Sequence, residues 1–407
     1  MIRDERPDEP LGPGTTAVWA GEDERRAGAP TQTPMVSSVS FGYRDLTEWL
    51  EVARGERPGH IYGRNTNPTV AAFEEKVRRL EAGSGAATSF ATGMAAVSGT
   101  LWALLEPGRK VVSVRDTYGG TSVIFTDYLP RYGVEVVLCP TDDLDAIESE
   151  IAAGCDVLYL ETPTNPTLRV LDLARLSAAG RAAGAIVVVD NTFATPLNQR
   201  PLELGAHLVL HSATKFLGGH ADALGGVVCG DAALIRSIFR FREITGASLH
   251  PEAAYLLLRG MKTLHLRIAR QNESALRIAE WLETVPGVSR VHYPGLASHP
   301  GHAVARRQMR GFGGVLSFEL AGGMEAVARC LETLRLAHLA ANLGAVETVA
   351  GTPATTSHVE CTADERSALG IPEGLIRYSV GIEDVDDLIH DLERAILAAR
   401  SGTTDHA

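Results

Sequence analysis

The sequence has no apolar run of the roughly 18 residues that a membrane-spanning helix needs. Its N-terminus, MIRDERPDEP, lacks the basic-then-apolar order of a secretory signal, so we expect the protein in the cytoplasm. Basic residues are outnumbered: 38 Lys and Arg stand against 50 Asp and Glu, a formal net charge of −12. Such a chain is a poor candidate for binding nucleic acid or anionic membranes through bulk charge.

Cysteine is scarce, and its arrangement argues against two kinds of small scaffold. The five cysteines are odd in number and form no CxxC pair. A disulfide framework or a zinc knuckle is therefore not expected, and the thiols are predicted to be reduced and mostly buried. They are Cys139, Cys155, Cys229, Cys330 and Cys361.

The chain does contain enough apolar residues for more than one core. It has 407 residues, of which 45% are hydrophobic and 22% charged, an ordinary composition for a globular protein. A chain of this length exceeds a single ordinary core. We predict an N-terminal arm at 1–60, rich in Pro, Gly and charge, a large domain at 61–255, and a smaller C-terminal α+β domain at 256–407.

Short apolar runs rich in β-branched residues predict the strands of the large domain. They are near-continuous rather than alternating, which is typical of strands buried on both faces of a parallel sheet. Helical stretches such as DLDAIESEIAAG separate several of them, so the pattern predicts an α/β fold with a parallel or mixed sheet. The runs lie at 111–114, 134–138, 157–160, 186–189, 208–212 and 226–229.

Beyond residue 253 the pattern changes. One long helical stretch, AAYLLLRGMKTLHLRIARQNESALRIAEWLE, is followed by the shorter apolar runs SRVHY, GVLSFEL and IRYSVG. These runs are interspersed with helical segments, which predicts the smaller α+β domain.

Chemically suggestive residues follow two of the predicted strands. Asp190 closes IVVVD, and Lys215 leaves LVLHS within HSATK. In open α/β sheets, ligands bind at the carboxyl ends of the strands. Desolvation lowers the pKa of a lysine and suits it to Schiff-base chemistry. Ser212 and Thr214 place two hydroxyls beside that lysine.

A third segment completes the set. Thr92–Gly93–Met94 begins a predicted helix, whose first backbone N–H groups and dipole favour a phosphate. Pyridoxal phosphate needs a lysine for its aldehyde, an acid for its ring nitrogen and donors for its phosphate. The conjunction of these groups predicts a pyridoxal-phosphate site with its Schiff base on Lys215.

The segment VVVDNTFATP followed by HSATKFLGGHAD closely resembles the signature of the Cys/Met-metabolism family of pyridoxal-phosphate enzymes. That family includes cystathionine γ-synthase, cystathionine γ-lyase, methionine γ-lyase and the O-acylhomoserine sulfhydrylases. The resemblance extends from about Tyr62 to GLIRYSVGIEDVDDLI. It implies a fold type I PLP-dependent transferase with a mostly parallel, seven-stranded type of sheet, and a homotetramer of dimers that share active sites. The N-terminal arm is then expected to make intersubunit contacts.

The resemblance also implies roles for individual residues. Lys215 is expected to be the Schiff-base lysine and proton shuttle, Asp190 to pair with the pyridinium nitrogen, and Tyr118 to stack on the cofactor ring. Arg377 and Asn342 are expected to bind the substrate. Further cofactor contacts are expected from Gly93, Met94, Asn165, Thr192, Ser212 and Thr214, with Tyr62 and Arg64 reaching the phosphate in a neighbouring subunit.

Several of these residues also have an ordinary structural interpretation. Tyr118 could be a core aromatic residue beside a turn, and Arg64 could be a surface residue. Arg377 could pair with Glu383 or Asp384. The functional interpretation is preferred because all of them fall in the order that the family shows.

The resemblance implies γ-replacement or γ-elimination on a homoserine-derived or sulfur amino acid. The preferred reading is a cystathionine γ-synthase or O-acylhomoserine sulfhydrylase, with a thiol as co-substrate. The alternatives are a C–S lyase like cystathionine γ-lyase or methionine γ-lyase, or a γ-elimination enzyme of specialised metabolism. Two departures matter. Asn342 stands where many members carry Ser, and Gly120 stands where a methionine γ-lyase is expected to carry Cys.

Two other hypotheses belong to different classes. His207, His211 and His220 are close in sequence and could be read as zinc ligands. However, His207 and His211 stand at opposite ends of a predicted strand, about 13 Å apart at roughly 3.3 Å per residue, so no metal is expected. A binding protein without catalysis would have a broken site, whereas Lys215, Asp190 and Tyr118 are all present.

Overall fold

The computed structural model describes residues 11–22, 28, 30–356, 359 and 362–401. The N-terminal segment contains helix α1 (Pro13–Trp19) and helix α2 (Leu46–Ala53), and α3 (Pro68–Leu80) follows. Asn67 caps α3 by accepting hydrogen bonds from the backbone N–H groups of Thr69 and Val70, and Pro68 occupies the first turn. This is the start that the Asn-Pro-Thr sequence predicts.

Helix α1 does not extend away from the chain but packs on α3 and on a helix of the C-terminal half. Its docking depends on Lys76 of α3, whose side chain is fully buried. The Lys76 ammonium donates to the carbonyls of Ala17 and Val18 and to Glu22 Oε1, at 2.9, 3.2 and 2.6 Å. At least this part of the arm therefore contacts its own subunit.

A seven-stranded sheet forms the centre of the large domain, in the order β1-β7-β6-β5-β4-β2-β3. Neighbouring strands from β6 to β3 are parallel, and β7 is antiparallel to both β1 and β6. The strands are β1 (Ala86–Phe90), β2 (Lys110–Val114), β3 (Glu135–Cys139), β4 (Val157–Glu161), β5 (Ile186–Asp190), β6 (Leu208–Ser212) and β7 (Gly226–Gly230). The α/β class and the mostly parallel sheet are confirmed.

Helices cover both faces of this sheet. One face packs Val111, Val157 and Leu210 against α4 and α10, and the other packs Val112, Leu158 and similar residues against α7 and α8. Such two-sided burial is why the strand sequences are continuously apolar. The helices are α4 (Gly93–Leu104), α5 (Gly119–Val123), α6 (Leu129–Arg131), α7 (Leu144–Ala152), α8 (Leu173–Ala182), α9 (Thr195–Asn198) and α10 (Ala232–Thr245).

The long helical stretch predicted from residue 253 is two helices. Helix α11 (Pro251–Met261) ends before Lys262–Thr263, and α12 (Leu264–Leu282) begins directly after these two residues. The predicted domain boundary between residues 255 and 256 falls inside α11. The division into 1–60, 61–255 and 256–407 stays a prediction.

A second sheet of five strands forms the C-terminal half, in the order β10-β11-β12-β9-β8. Helices α14 and α16 contact each other and pack with α12 in a core that contains Leu316, Phe318 and Ile376. The strands are β8 (Val288–His292), β9 (Val315–Leu320), β10 (His338–Leu339), β11 (Val349–Gly351) and β12 (Leu375–Ser379). The helices are α13 (His302–Gln308), α14 (Gly323–Thr333), α15 (Ala363–Ala368) and α16 (Val385–Ser401).

Four of the cysteines are unpaired and buried, and these are Cys139, Cys155, Cys229 and Cys330. Burial raises the pKa of each thiol, to about 11 for Cys155 and about 12 for Cys330. The prediction for Cys361 lies outside the described residues. Among the helices of the described ranges, none is both long and apolar enough to cross a membrane.

Candidate active site

A cavity of about 240 Å³ opens at the carboxyl ends of β4, β5 and β6. Their last residues, Glu161, Asp190 and Ser212, all line it, because parallel strands end at the same edge of a sheet. Most residues expected at the site line this cavity: Gly93, Met94, Tyr118, Asn165, Asp190, Thr192, Ser212, Thr214, Lys215 and Arg377. The exceptions are Tyr62, Arg64 and Asn342.

Lys215 lies in the turn that follows β6, with its ammonium directed toward the C-terminal half of the chain. Its Nζ donates a hydrogen bond to Asn342 Oδ1 at 2.9 Å. Burial and the positive charge of Arg377 lower the pKa of Lys215 from its ordinary value to about 8. An amine with this pKa is partly uncharged near neutral pH, as nucleophilic attack on an aldehyde requires. The structure therefore links Asn342 to the lysine, whereas the sequence linked it only to the substrate.

One buried guanidinium anchors the turn that carries Lys215. Arg267 of α12 donates to the carbonyls of Phe216 and Leu217, at 2.8 and 3.3 Å, and to that of Gly260, at 2.9 Å. A Cβ on Gly219 would lie 2.1 Å from Arg267 Nη1, so the close approach requires glycine there. The lysine turn is thus tied to the start of α12.

Asp190 is held in place by two donors. Its Oδ1 accepts the backbone N–H of Thr192 at 2.9 Å, and its Oδ2 accepts the Tyr159 hydroxyl at 3.5 Å. Burial raises the pKa of this carboxyl. The cation that a ring nitrogen would present to it favours the ionised form and so opposes that effect.

Small groups at the start of α4 and at the end of β6 also line the cavity. Thr92 caps α4 by accepting the backbone N–H of Ala95 at 3.0 Å. A Cβ on Gly93 would lie 2.7 Å from both Cβ and Oγ of Ser212, so only glycine leaves this space open. Thr214 Oγ1 accepts the backbone N–H of Gly225 at 3.0 Å. The result is a cradle of hydroxyls at a helix N-terminus, which suits a phosphate.

Arg377 is buried and points into the cavity from β12 of the second sheet. Its Nη1 donates to Asn165 Oδ1 and its Nη2 to the carbonyl of Asn342, both at 3.1 Å. Arg377 does not pair with Glu383, because the Glu383 carboxylate accepts from Thr348 instead. Burial lowers the pKa of Arg377 to about 10, so the group remains a cation at neutral pH.

Tyr118 forms part of the cavity wall rather than of a core, and its residue is 44% exposed. It precedes α5, and its backbone N–H donates to Glu161 Oε2 at 2.8 Å. The structural alternative, a core aromatic residue beside a turn, does not describe this position.

Tyr62 and Arg64 lie away from the cavity of their own chain. The Arg64 guanidinium stands over the Tyr62 ring, 5.7 Å from its centroid, and donates to the carbonyl of Glu243 at the end of α10. Tyr62 is 44% exposed. Their role in a neighbouring subunit's site stays a prediction.

The three histidines considered as metal ligands have separate partners. His211 Nε2 lies 2.7 Å from Glu81 Oε1. His207 Nδ1 accepts from the backbone N–H of Val187 at 2.9 Å, and His220 Nδ1 lies 2.8 Å from the Gly218 carbonyl oxygen. In the described parts of the chain, no group of three or more His, Cys, Asp or Glu residues is arranged to hold a metal ion.

Pyridoxal phosphate fits the donor set that these residues present. The Gly93–Ser212 cradle matches its phosphate, the Asp190 carboxylate matches its ring nitrogen, and the Lys215 amine of lowered pKa matches its aldehyde. The three groups line one cavity.

Comparison with known proteins agrees with this geometry. The family model described as Cys/Met metabolism PLP-dependent enzyme matches residues 14–397. The chain belongs to that family. It is therefore a pyridoxal-phosphate enzyme of Cys/Met metabolism, a transferase or a lyase.

Relatives within the family differ in activity. The chain is 41% identical to L-methionine γ-lyase of Fusobacterium nucleatum subsp. polymorphum, covering 95% of this chain and 98% of that protein. It is 40% identical to O-succinylhomoserine sulfhydrylase of Pseudomonas aeruginosa, covering 94% and 95%. The crystal structure of cystathionine γ-synthase from Xanthomonas oryzae pv. oryzae, with aminoacrylate and cysteine, superposes with a TM-score of 0.91 at 38% identity, covering 97% of this chain and 100% of that chain.

The sequence interpretation missed three residues at this site. Glu161 lines the cavity, Tyr159 orients Asp190, and Arg267 anchors the lysine turn. Glu161 did carry a signal, since it closes an apolar strand next to the one that Asp190 closes. Tyr159 and Arg267 carried none, because their contacts are with residues distant in sequence.

Proposed function

We propose that the protein catalyses γ-replacement on a homoserine-derived amino acid, in the manner of a cystathionine γ-synthase or an O-acylhomoserine sulfhydrylase. The observation that carries this proposal is the placement of a lysine of lowered pKa and a buried arginine in one cavity. The arginine suits an amino-acid carboxylate, and the lysine suits proton transfer at the neighbouring carbons.

In this proposal Lys215 binds the cofactor and later moves a proton between adjacent substrate carbons. Bound pyridoxal phosphate supplies an electron sink for the negative charge that proton removal creates. Asp190 keeps the ring nitrogen protonated, and Tyr118 covers the ring. Asn165 lies near the ring hydroxyl, and Thr192 beside Asp190.

The remaining residues bind the two anionic groups. The N–H groups of Gly93 and Met94 and the hydroxyls of Ser212 and Thr214 hold the phosphate. Arg377 forms a fork to the substrate carboxylate. The Asn165 amide oxygen and the Asn342 carbonyl orient that guanidinium.

Gly120 supports replacement over methionine cleavage. A Cβ at this position would lie 3.0 Å from Met94 Sδ and 3.0 Å from Tyr118 Cε1, closer than most Cβ atoms approach a neighbour. A cysteine here would require Met94 or Tyr118 to shift by a few tenths of an ångström.

The oligomeric state and the compartment are part of the proposal. Exposed Tyr62 and Arg64 on the chain's own surface support a dimer in which they complete the partner's site, and a tetramer of two such dimers. The unpaired cysteines support a reducing compartment, the cytoplasm.

The first test is the visible absorption spectrum of the purified protein beside Lys215→Ala and the matched control Lys110→Ala, a partly buried lysine at the start of β2. The proposal expects a band from lysine-bound cofactor that Lys215→Ala loses and Lys110→Ala keeps. A band unchanged in Lys215→Ala would overturn the assignment of the lysine.

The second part of the test separates the reactions. With O-acetyl- or O-succinylhomoserine, we expect cysteine to give a thioether and sulfide to give a γ-thiol, and acetate or succinate is released in each case. Keto acid and ammonia released from cystathionine or methionine, without any replacement product, would assign the protein to the C–S lyases instead.

A further inference from the structure

Glu161 lines the cavity but has no role in the proposal above. It is the last residue of β4 and pairs in register with Asp190, the last residue of β5. The two carboxylates therefore stand on adjacent strands at the same edge of the sheet. Glu161 is only 4% exposed. A buried carboxylate is costly unless hydrogen bonds or a cation compensate it.

One backbone donor contacts this carboxyl group. Glu161 Oε2 accepts the N–H of Tyr118 at 2.8 Å. Tyr118 belongs to the loop after β2. Glu161 thus fixes the main chain of a loop that borders the cavity.

This loop presents a working group to the cavity. The Tyr118 ring forms part of the cavity wall. A shift of the Tyr118 backbone would move the ring that covers the cofactor. Displacements of about 1 Å in such positioning groups reduce rates by roughly a hundredfold.

The surroundings of Glu161 favour its neutral form. Burial raises its pKa well above the ordinary value, and the negative charges of Asp190 and Asp116 raise it further. The backbone N–H of Tyr118 opposes these effects without cancelling them. A neutral carboxyl group keeps an oxygen that accepts this N–H.

We propose that Glu161 is a positioning residue of this active site, which acts by fixing Tyr118 over the cofactor. This inference rests on the proposed function. It assigns Glu161 no contact with the reacting atoms, and its effects must therefore pass through Tyr118.

The test is a double-mutant cycle between Glu161→Leu and Tyr118→Ala in the full-length protein, read as the dissociation constant for pyridoxal phosphate. Leucine has a similar size but no acceptor for the Tyr118 N–H. We expect Glu161→Leu to weaken cofactor binding by roughly tenfold, as for a buried donor left without a partner. In the Tyr118→Ala background we expect less than about threefold.

A second readout is the melting temperature of each variant. Equal effects of Glu161→Leu on cofactor binding in both Tyr118 backgrounds would overturn the inference. So would a lowered melting temperature with unchanged cofactor binding, because that result describes a purely structural residue.

Failure of the proposed function would look different. If the unaltered protein binds no pyridoxal phosphate, or if its bound cofactor is unaffected by Lys215→Ala, the function itself fails. If those controls behave as expected and the cycle shows no coupling, only the role of Glu161 fails.

Discussion

The uncharged form of Lys215 is favoured by its surroundings, because burial and the nearby charge of Arg377 lower its pKa to about 8. Between this value and its ordinary pKa, the unfolded chain binds more protons at this position than the folded one does. The contribution of Lys215 to stability therefore improves as pH rises through about 8, and a buried ammonium opposes folding below it. In the proposed function, the same uncharged amine is the nucleophile.

This pKa predicts how fast protein freed of cofactor takes up pyridoxal phosphate. The rate constant should rise with pH and level off above about 8, as Lys215 loses its proton. Arg377→Met removes one positive charge beside the lysine, so the midpoint should move to higher pH. Rapid-mixing absorbance measurements across a pH series give both midpoints.

Arg270→Met is the matched control, since Arg270 lies on α12 and is paired with Asp384 rather than directed at the lysine. Its midpoint should equal that of the unaltered protein. An Arg377→Met midpoint at the original pH would contradict the electrostatic account.

At the scale of the individual elements, helix α1 is joined to α3 by the side chain of Lys76. The Lys76 ammonium contacts two carbonyls of α1. It also forms a buried ion pair with Glu22, in the segment just after α1. Lys262 approaches the same carboxylate at 2.9 Å. Removing one member of a buried pair leaves the other without full compensation.

Lys76→Met should therefore lower the free energy of unfolding by about 3–5 kcal/mol. Arg57→Met removes an exposed arginine that pairs with Glu48 at 3.1 Å, and should cost no more than about 1 kcal/mol. Denaturant titrations of the two variants give the comparison. Equal losses would show that the Lys76 contacts do not hold α1.

At the scale of the whole molecule, the cavity of one chain lacks the two residues expected to reach a phosphate in a neighbouring subunit. Tyr62 and Arg64 lie on the surface near the end of α10 instead. If they complete the partner's site, each active site in a dimer contains Lys215 from one chain and Arg64 from the other. Defects in these two residues can then compensate in a mixed dimer.

Coexpression of Arg64→Ala with Lys215→Ala should restore activity that neither variant has alone. Hybrid dimers contain one intact site, so about a quarter of all sites should work in a statistical mixture. Turnover by the purified mixture is the measurement. The control pairs Asp190→Ala with Lys215→Ala, both within one chain's cavity, and should restore nothing. Absence of recovery in the first mixture would contradict shared sites.

The sequence predicts the parallel strands well because burial on both faces leaves a continuous apolar run. It misses β1, AATSF, whose residues are small and polar, and it misses β10 and β11, which have two and three residues. The break between α11 and α12 is also missed, because the apolar pattern continues through Lys262–Thr263.

Site residues are predictable where they follow a strand or match the family pattern. Asp190, Lys215 and Arg377 are of this kind, and the cavity brings them together. Asn342 was expected at the substrate, but its side chain contacts Lys215. Contacts that join distant segments, such as that of Tyr159 with Asp190, have no counterpart in local sequence.

The anchoring of the lysine turn by Arg267 determines how Lys215 can travel. The Arg267 guanidinium binds two carbonyls of the turn, those of Phe216 and Leu217, and one carbonyl of α11, that of Gly260. The backbone of the turn is therefore held against α12. In the proposed function, the amine then reaches neighbouring substrate atoms by rotation of its own four-carbon stem. The range of positions that it serves is set by side-chain torsions about a stationary pivot, not by a swinging loop.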